Sequence, residues 1–190
     1  MGTGLAARGV GPGGSVAGMM AFAEELAGMT ADAGGKPIYA WVDETAASAA
    51  YAIASVCDRI YGPRDAIVGS IGVLLVHTAV NRALDANGID VTIIRSGDRK
   101  ARGGAYEALD DKTFAKLKTA VDRSMASFAA LVEMGRGIDA ATIHGWQGEW
   151  FEGDEAVGLG LLDAALPERE AWGRLEEEVD RIKRERRQFA

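Results

Sequence analysis

The sequence is poor in the residues from which disulfides and metal sites are built. Cys57 is its one cysteine in 190 residues, and the two histidines, His77 and His144, lie far apart. An intramolecular disulfide is therefore excluded, and two histidines so far apart give no metal-ligand cluster of recognisable spacing. We expect a reducing compartment, the cytoplasm, and no metal or other cofactor.

Positive charge and long apolar runs are scarce as well. The 21 Lys and Arg against 28 Asp and Glu leave a net charge of −7. This balance argues against a general nucleic-acid binder, because phosphate contacts need a surplus of basic residues. Residues 1–20 contain no apolar run of the length that a signal peptide or a membrane span requires. We therefore expect neither nucleic acid nor a membrane as a partner.

Short apolar runs that alternate with helical patterns are, in contrast, plentiful. Strands are predicted at 37–42, 59–62, 72–77 and 91–97, and helices at 15–33, 45–57, 79–88, 110–134 and from Pro167 onward. Strands that alternate with helices pair in parallel through crossover connections, so the predicted class is α/β. The length and the composition, 48% hydrophobic and 26% charged, favour a single domain over residues 1–190. The C-terminal helix is charged, with four apolar residues on one face: Trp172, Leu175, Val179 and Ile182.

A glycine-rich turn, Gly11-Pro12-Gly13-Gly14-Ser15, precedes the first predicted helix. The free backbone N–H groups of such a turn and the helix dipole together favour negative charge, so the turn is a candidate oxyanion hole. It is not a P-loop, because no Gly-Lys-Ser/Thr follows at the required spacing. A flexible turn that caps the helix is the alternative.

Ser48 and Lys100 are the candidates for nucleophile and base. Ser48 begins an alanine-rich helix whose small neighbours leave its hydroxyl accessible, although a serine there is more often a cap or a packing residue. Lys100 lies in a loop after a predicted strand, where catalytic groups of open α/β sheets lie. Burial can lower the pKa of a lysine far enough for it to act as a base, and a solvated loop lysine is the alternative. Other serines compete with Ser48 on composition alone: Ser55, Ser70, Ser96, Ser124 and Ser127.

In order and spacing, these motifs resemble the signal peptide peptidase A family of serine peptidases over most of residues 11–166. The turn is similar to the family's Ser-Pro-Gly-Gly-Ser-Val, and Ala46-Ala47-Ser48-Ala49-Ala50-Tyr51 to its Ala-Ala-Ser-Gly-Gly-Tyr nucleophile motif. The family's Gly-Ser-Ile-Gly stands intact at 69–72, and residues 150–163 resemble its closing signature. The loop at 97–110 is most similar to the phage branch, the capsid-maturation or head proteases.

The resemblance implies a ClpP/crotonase-like fold and a serine endopeptidase with a Ser-Lys dyad. It assigns Ser48 as the nucleophile, Lys100 as its base and Ser70 as the residue that orients the lysine. It places the oxyanion hole at the backbone N–H groups of Gly13 and Gly14. Neither histidine supports a Ser-His arrangement instead.

The implied substrate is a polypeptide bound in extended form, such as a scaffold or other head protein of an assembling phage capsid. The host cytoplasm or the assembling prohead is then the expected location. Members of the family form rings, so we expect a homo-oligomer, with the charged C-terminal helix as a candidate contact.

Two departures from the family pattern are present. Ala49 and Ala50 replace a pair of glycines, and Val10-Gly11 replaces the leading Asp-Ser of the turn. In addition, few residues precede the turn, so we expect the sheet to lack part of the usual N-terminal strands. The alternatives are a non-catalytic or truncated assembly protein of the same fold and, less favoured, a crotonase-like acyl-CoA enzyme.

Overall fold

A computed structural model of the chain describes residues 5–11, 14 and 18–188. The chain divides into two compact units. The first is built from Met1–Gly72 and Met125–Ala190, and the second is Val73–Ser124. The single domain over residues 1–190 stays a prediction, because compactness alone does not establish independent folding.

A six-stranded sheet is the frame of the first unit. Its strands are β1 (Leu5–Gly11), β2 (Ile38–Ala47), β3 (Arg59–Gly62), β4 (Ile67–Gly69), β5 (Trp150–Glu152) and β6 (Ala164–Ala165). β1 runs parallel along one side of β2, while β3 and β4 pair in parallel with the beginning and the end of its other side. β6 extends the sheet in parallel from β3, and β5 extends it antiparallel from β4. The predicted α/β class with parallel pairing is confirmed.

Helices lie before, between and after these strands. They are α1 (Met19–Ala27), α2 (Ala49–Ser55), α3 (Asn81–Ala86), α4 (Asp111–Arg136), α5 (Ala140–Gly145), α6 (Gly153–Gly158) and α7 (Glu168–Gln188). α3 belongs to the second unit, and α4 contributes residues to both. None of the described helices combines the length and the apolar character needed to cross a bilayer.

The central strand β2 is buried on both faces over residues 38–42, as in sheets covered by helices on either side. On one face, Tyr39 and Trp41 pack with Tyr61 and with Ala171 and Leu175 of α7. Trp172 and Val179 pack against the edge of the same cluster. The apolar face predicted for the C-terminal helix is therefore used within the chain's own core.

The last turns of α4 are fixed closely to the first unit. A Cβ added to Gly135 would lie 2.1 Å from the carbonyl oxygen of Ser55, so only glycine fits there. The buried guanidinium of Arg136 donates to the carbonyl oxygen of Gly160 and to Oδ2 of Asp163, at 3.0 Å each. The same Oδ2 accepts the backbone N–H of Ile60 at 2.7 Å. One carboxylate thus joins α4 to the beginning of β3.

The strands predicted at 72–77 and 91–97 are wrong, because the structure has no regular strand in either segment. Leu74, Val76 and Ile94 are 82%, 77% and 95% exposed. A strand needs a neighbouring strand for its backbone hydrogen bonds, and neither segment is part of the sheet formed by the described residues. Apolar composition alone therefore misled the prediction.

The other predictions hold with shifted ends. The strands at 37–42 and 59–62 and the helices at 79–88, 110–134 and after Pro167 are all present. The helix predicted at 45–57 is shorter, because Thr45–Ala47 continue β2 and α2 begins at Ala49. Of the helix predicted at 15–33, the structure shows α1 at Met19–Ala27, and residues 15–17 lie outside the described residues. β1, the strand before the glycine turn, was not predicted from the pattern.

Candidate active site

Ser48 occupies a sharp turn between β2 and α2. Its backbone has φ 52° and ψ −122°, a conformation that residues with a Cβ rarely adopt. Its N–H donates to the carbonyl oxygen of Gly69 at 2.8 Å, and its own carbonyl accepts the N–H of Ala52 at 3.0 Å. A strained serine between a strand and a helix is the arrangement that presents the nucleophile in α/β-hydrolases. The backbone at Ser48 is therefore suited to a nucleophile.

Ser70 lies beside Ser48 at the same edge of the sheet. Ala47 and Gly69 are register partners of β2 and β4, so the two serines directly follow paired residues of parallel strands. Ser70 also has a positive φ, 48°, and its N–H donates to the carbonyl oxygen of Glu149 at 2.8 Å. Both serines are partly exposed. The structure thus brings two of the predicted site residues together.

Small and well-anchored neighbours hold this strained backbone. Gly69 has φ 102°, and a Cβ there would come within 3.1 Å of the carbonyl oxygen of Glu149. Tyr51, the third residue of α2, is fully buried, and its hydroxyl donates to the carbonyl oxygen of Leu161 at 3.0 Å. Ala49, which stands where the family has glycine, is buried as the first residue of α2. The methyl group of Ala49 is therefore packed inside the fold.

The glycine turn starts at the same edge of the sheet. β1 is parallel to β2, and its last residue, Gly11, pairs with Ala46. Gly13 lies outside the described residues, and Gly14 is exposed. The oxyanion-hole role of Gly13 and Gly14 stays a prediction.

Lys100 belongs to the second unit, in a loop of consecutive turns. The backbone N–H of Lys100 donates to the carbonyl oxygen of Gly97 at 3.0 Å. The N–H of Gly104 donates to the carbonyl oxygen of Ala101 at 3.1 Å. The side chain of Lys100 is exposed within the structure. Its role as the base, and that of Ser70 as its orienting partner, stay predictions.

Two competing readings of the sequence lose support. Ser55 is fully buried, and its hydroxyl donates to the carbonyl oxygen of Ala52 at 2.8 Å, so it is a helix packing residue. Nε2 of His77 lies 3.3 Å from the carbonyl oxygen of Gly104, and His144 is an exposed residue of α5. Within the described part of the chain, no hydrogen bond joins either histidine to a serine.

Sequence reasoning missed the part played by Glu149. Its backbone carbonyl holds the N–H of Ser70 in place. Any residue supplies a carbonyl, so this contact leaves no signal in the sequence. The positive φ of Ser48 and Ser70 is equally invisible there, since neither is a glycine.

Comparison with known proteins decides which family this site belongs to. The family model described as peptidase family S49 matches residues 30–181, a stretch that contains Ser48, Ser70 and Lys100. The chain belongs to peptidase family S49. The resemblance to signal peptide peptidase A-type serine peptidases is thereby confirmed.

Two phage proteins are among the similar members of known name. The chain is 32% identical to the head-tail preconnector protein GP5 of Enterobacteria phage P21, over 82% of this chain and 30% of that protein. It is 30% identical to the capsid assembly protease C of Escherichia phage lambda, over 84% of this chain and 36% of that protein. The chain thus spans about a third of the length of these relatives.

Solved structures of peptidases share the fold of this S49 chain. The membrane-bound stomatin-specific protease 1510-N superposes with a TM-score of 0.53 at 14% identity, over 85% of this chain and 63% of that one. A peptidase from Plasmodium falciparum superposes with a TM-score of 0.50 at 9% identity, over 87% of this chain and 78% of that one. The predicted ClpP/crotonase-like fold is confirmed.

Proposed function

We propose that this protein is a serine endopeptidase with Ser48 as its nucleophile. The strained turn between β2 and α2 is the observation that carries the proposal. Such strain persists only where the surrounding structure enforces it, and it is concentrated at functional sites. Membership of peptidase family S49 agrees with the same chemistry.

In the proposed mechanism, neutral Lys100 takes the proton of the Ser48 hydroxyl while Oγ attacks the carbonyl carbon of a peptide bond. The resulting oxyanion is held by backbone N–H groups at Gly13 and Gly14. The intermediate collapses to an acyl-enzyme, and the leaving amine takes the proton from Lys100. Water then hydrolyses the ester with Lys100 as the base again, in a Ser-Lys version of the triad scheme. Ser70 orients the lysine.

A lysine acts as a base when its surroundings favour the neutral amine, and withdrawal from water favours that form. The side chain of Lys100 is exposed in the isolated chain. We therefore propose that bound substrate or a second subunit covers the loop at 97–104 and completes the dyad.

The substrate proposed is a polypeptide of an assembling phage head, a scaffold or capsid protein. Support comes from two relatives, one named as a capsid assembly protease and the other as a head-tail preconnector protein. On this proposal the chain works in the host cytoplasm or inside the prohead.

We also propose that the chain forms a homo-oligomer. The second unit exposes large apolar side chains, among them Leu74, Val76 and Ile94. Large apolar side chains this exposed favour an interaction surface. The first half of α7 is a weaker candidate contact, because its apolar face packs on the cluster around Trp41.

Cleavage of an unfolded protein such as casein tests the peptidase proposal directly. We expect wild type to cleave it and Ser48→Ala to be inactive. Lys100→Arg should also be inactive, because a guanidinium cannot give up its proton. Ser127→Ala, an exposed serine on α4, is the matched control and should retain full activity. Full activity of Ser48→Ala would refute the proposal.

The exposure of Lys100 also supports a second candidate, a non-catalytic assembly protein of the same fold. That protein would keep the turn at Ser48 without turnover. A folded wild type that neither cleaves casein nor reacts with a serine-directed probe would favour this candidate.

A further inference from the structure

The second unit contains a basic pocket of 410 Å³ between the Lys100 loop and the start of α4. Its charged lining consists of one carboxylate and four cations: Asp98, Arg99, Arg102, Lys112 and Lys116. The chain as a whole carries a net charge of −7. The pocket thus reverses the overall balance of the molecule.

One wall of the pocket is fixed by Asp110, which caps α4. Its carboxylate accepts the N–H of Thr113 at 2.8 Å and the Thr113 hydroxyl at 2.9 Å. The guanidinium of Arg102 donates to the same carboxylate at 2.9 Å and to the carbonyl oxygen of Asp98 at 2.7 Å. These contacts hold the pKa of Asp110 below its usual range, and the hydrogen bonds from Thr113 contribute most. Arg102 is therefore a structural part of the wall.

The other three cations, Arg99, Lys112 and Lys116, form no ion pair with any residue that the structure describes. Lys112 and Lys116 lie one turn apart on α4, where like charges repel. Lys118, also on α4 but outside the pocket, is paired with Asp122. An anion in the pocket would relieve the repulsion, and the N-terminal end of α4 adds to the attraction.

We propose that this basic pocket binds an acidic side chain, Asp or Glu, of the polypeptide substrate. The proposal rests on the proposed peptidase function and names its substrate class. Arg99 and Arg102 of the pocket flank Lys100 on one loop. An acidic residue bound there anchors the substrate on the same loop as the proposed base.

Binding tests the proposal without requiring turnover. Two fluorescein-labelled peptides, identical except that one carries three Glu where the other carries three Gln, are titrated with the full chain bearing Ser48→Ala. Anisotropy at low salt should show the Glu peptide bound about five- to tenfold more tightly, the effect of two exposed charge pairs. Added salt should reduce the preference.

Charge variants locate the effect. The preference should be lost when Lys112→Gln and Lys116→Gln are combined, and kept when both are replaced by Arg. Lys118→Gln is the matched control and should keep it. Equal or undetectable affinity for the two peptides would overturn the proposal. A preference for the Glu peptide that survives in the variant with both Lys112→Gln and Lys116→Gln would also overturn it.

Turnover by the chain with Ser48 intact separates this proposal from the peptidase proposal. Cleavage of both peptides with the same kcat/KM overturns the acidic-substrate proposal alone. Tighter binding of the Glu peptide, with no cleavage of either peptide or of casein, supports the pocket and overturns the peptidase proposal alone.

Discussion

At the scale of the residue, the backbone at Ser48 is the feature that most needs an explanation. Its φ of 52° is unfavourable for a side chain with a Cβ, and nothing in folding requires a serine there. Glycine would adopt the same conformation at lower cost. Stability alone therefore does not account for the hydroxyl at this position, whereas the proposed role as a nucleophile does.

Ser48→Gly should accordingly be more stable than Ser48→Ala by about 1–3 kcal/mol, because glycine removes the strain while alanine keeps it. Urea unfolding of the two variants measures the difference. Ser127 provides the control: in the helix α4, Ser127→Gly should be less stable than Ser127→Ala by about 1 kcal/mol. Equal stability of the two Ser48 variants would mean that the turn is not strained.

At the scale of the element, apolar periodicity predicted the strands and helices that are determined by their own local sequence. β2, β3, α4 and α7 follow apolar periods that their own residues display, and their positions agree with the prediction. β1 was not predicted, and the strands predicted at 72–77 and 91–97 are wrong, because pairing with another segment decides whether a strand forms.

The candidate site divides in the same way. Family motifs identified Ser48 and Ser70, and the parallel register of β2 and β4 places them side by side. The sign of φ at each serine and the carbonyl contacts from Gly69 and Glu149 could not be predicted, since they arise from tertiary packing rather than from residue type.

The close approach of α4 to α2 gives a prediction at this scale. Gly135→Ala should destabilise the chain by about 1–3 kcal/mol, because its methyl group would lie 2.1 Å from the carbonyl oxygen of Ser55. Gly145→Ala in α5 is the control, since a Cβ there meets nothing within 4 Å. Thermal unfolding should show a lower Tm for the first variant only. An unchanged Tm for Gly135→Ala would contradict this packing.

At the scale of the whole molecule, burial and exposure make separate predictions for the two units. The first unit has a helix-covered sheet and a buried thiol, Cys57. The second presents apolar side chains to solvent. Stability at high pH is therefore a property of the first unit, and self-association is a property expected of the second.

Burial raises the pKa of Cys57 from its ordinary value of 9.0 to about 12, chiefly through desolvation of the thiolate. Between these values the unfolded chain loses the thiol proton while the folded chain keeps it, so stability should fall as pH rises from about 9 to 12. Tyr39, with a pKa raised to about 12 by burial, acts in the same direction.

Cys57→Ser should reduce the loss of unfolding free energy with rising pH by up to about 1.4 kcal/mol per pH unit, because the serine hydroxyl does not titrate in this range. Urea unfolding at pH 9 and pH 10.5 measures the slope for both proteins. Identical slopes would show that the thiol is not buried in the folded chain.

Self-association should depend on the exposed apolar residues of the second unit. Leu74→Asp should shift sedimentation toward the monomer, because a carboxylate is costly to bury in an apolar interface. Glu133→Lys, an exposed change on α4 in the first unit, is the control and should leave the assembly intact. A wild type that sediments as a monomer at all concentrations would contradict the proposed oligomer.

The central claim is that Ser48 is a nucleophile activated by Lys100. Intact-mass analysis after incubation with a fluorophosphonate tests it most directly, on wild type, Ser48→Ala, Lys100→Ala and the control Ser127→Ala. We predict one adduct on wild type and on Ser127→Ala, and none on the other two. An adduct on Ser48→Ala, or none on a wild type that circular dichroism shows to be folded, would contradict the claim.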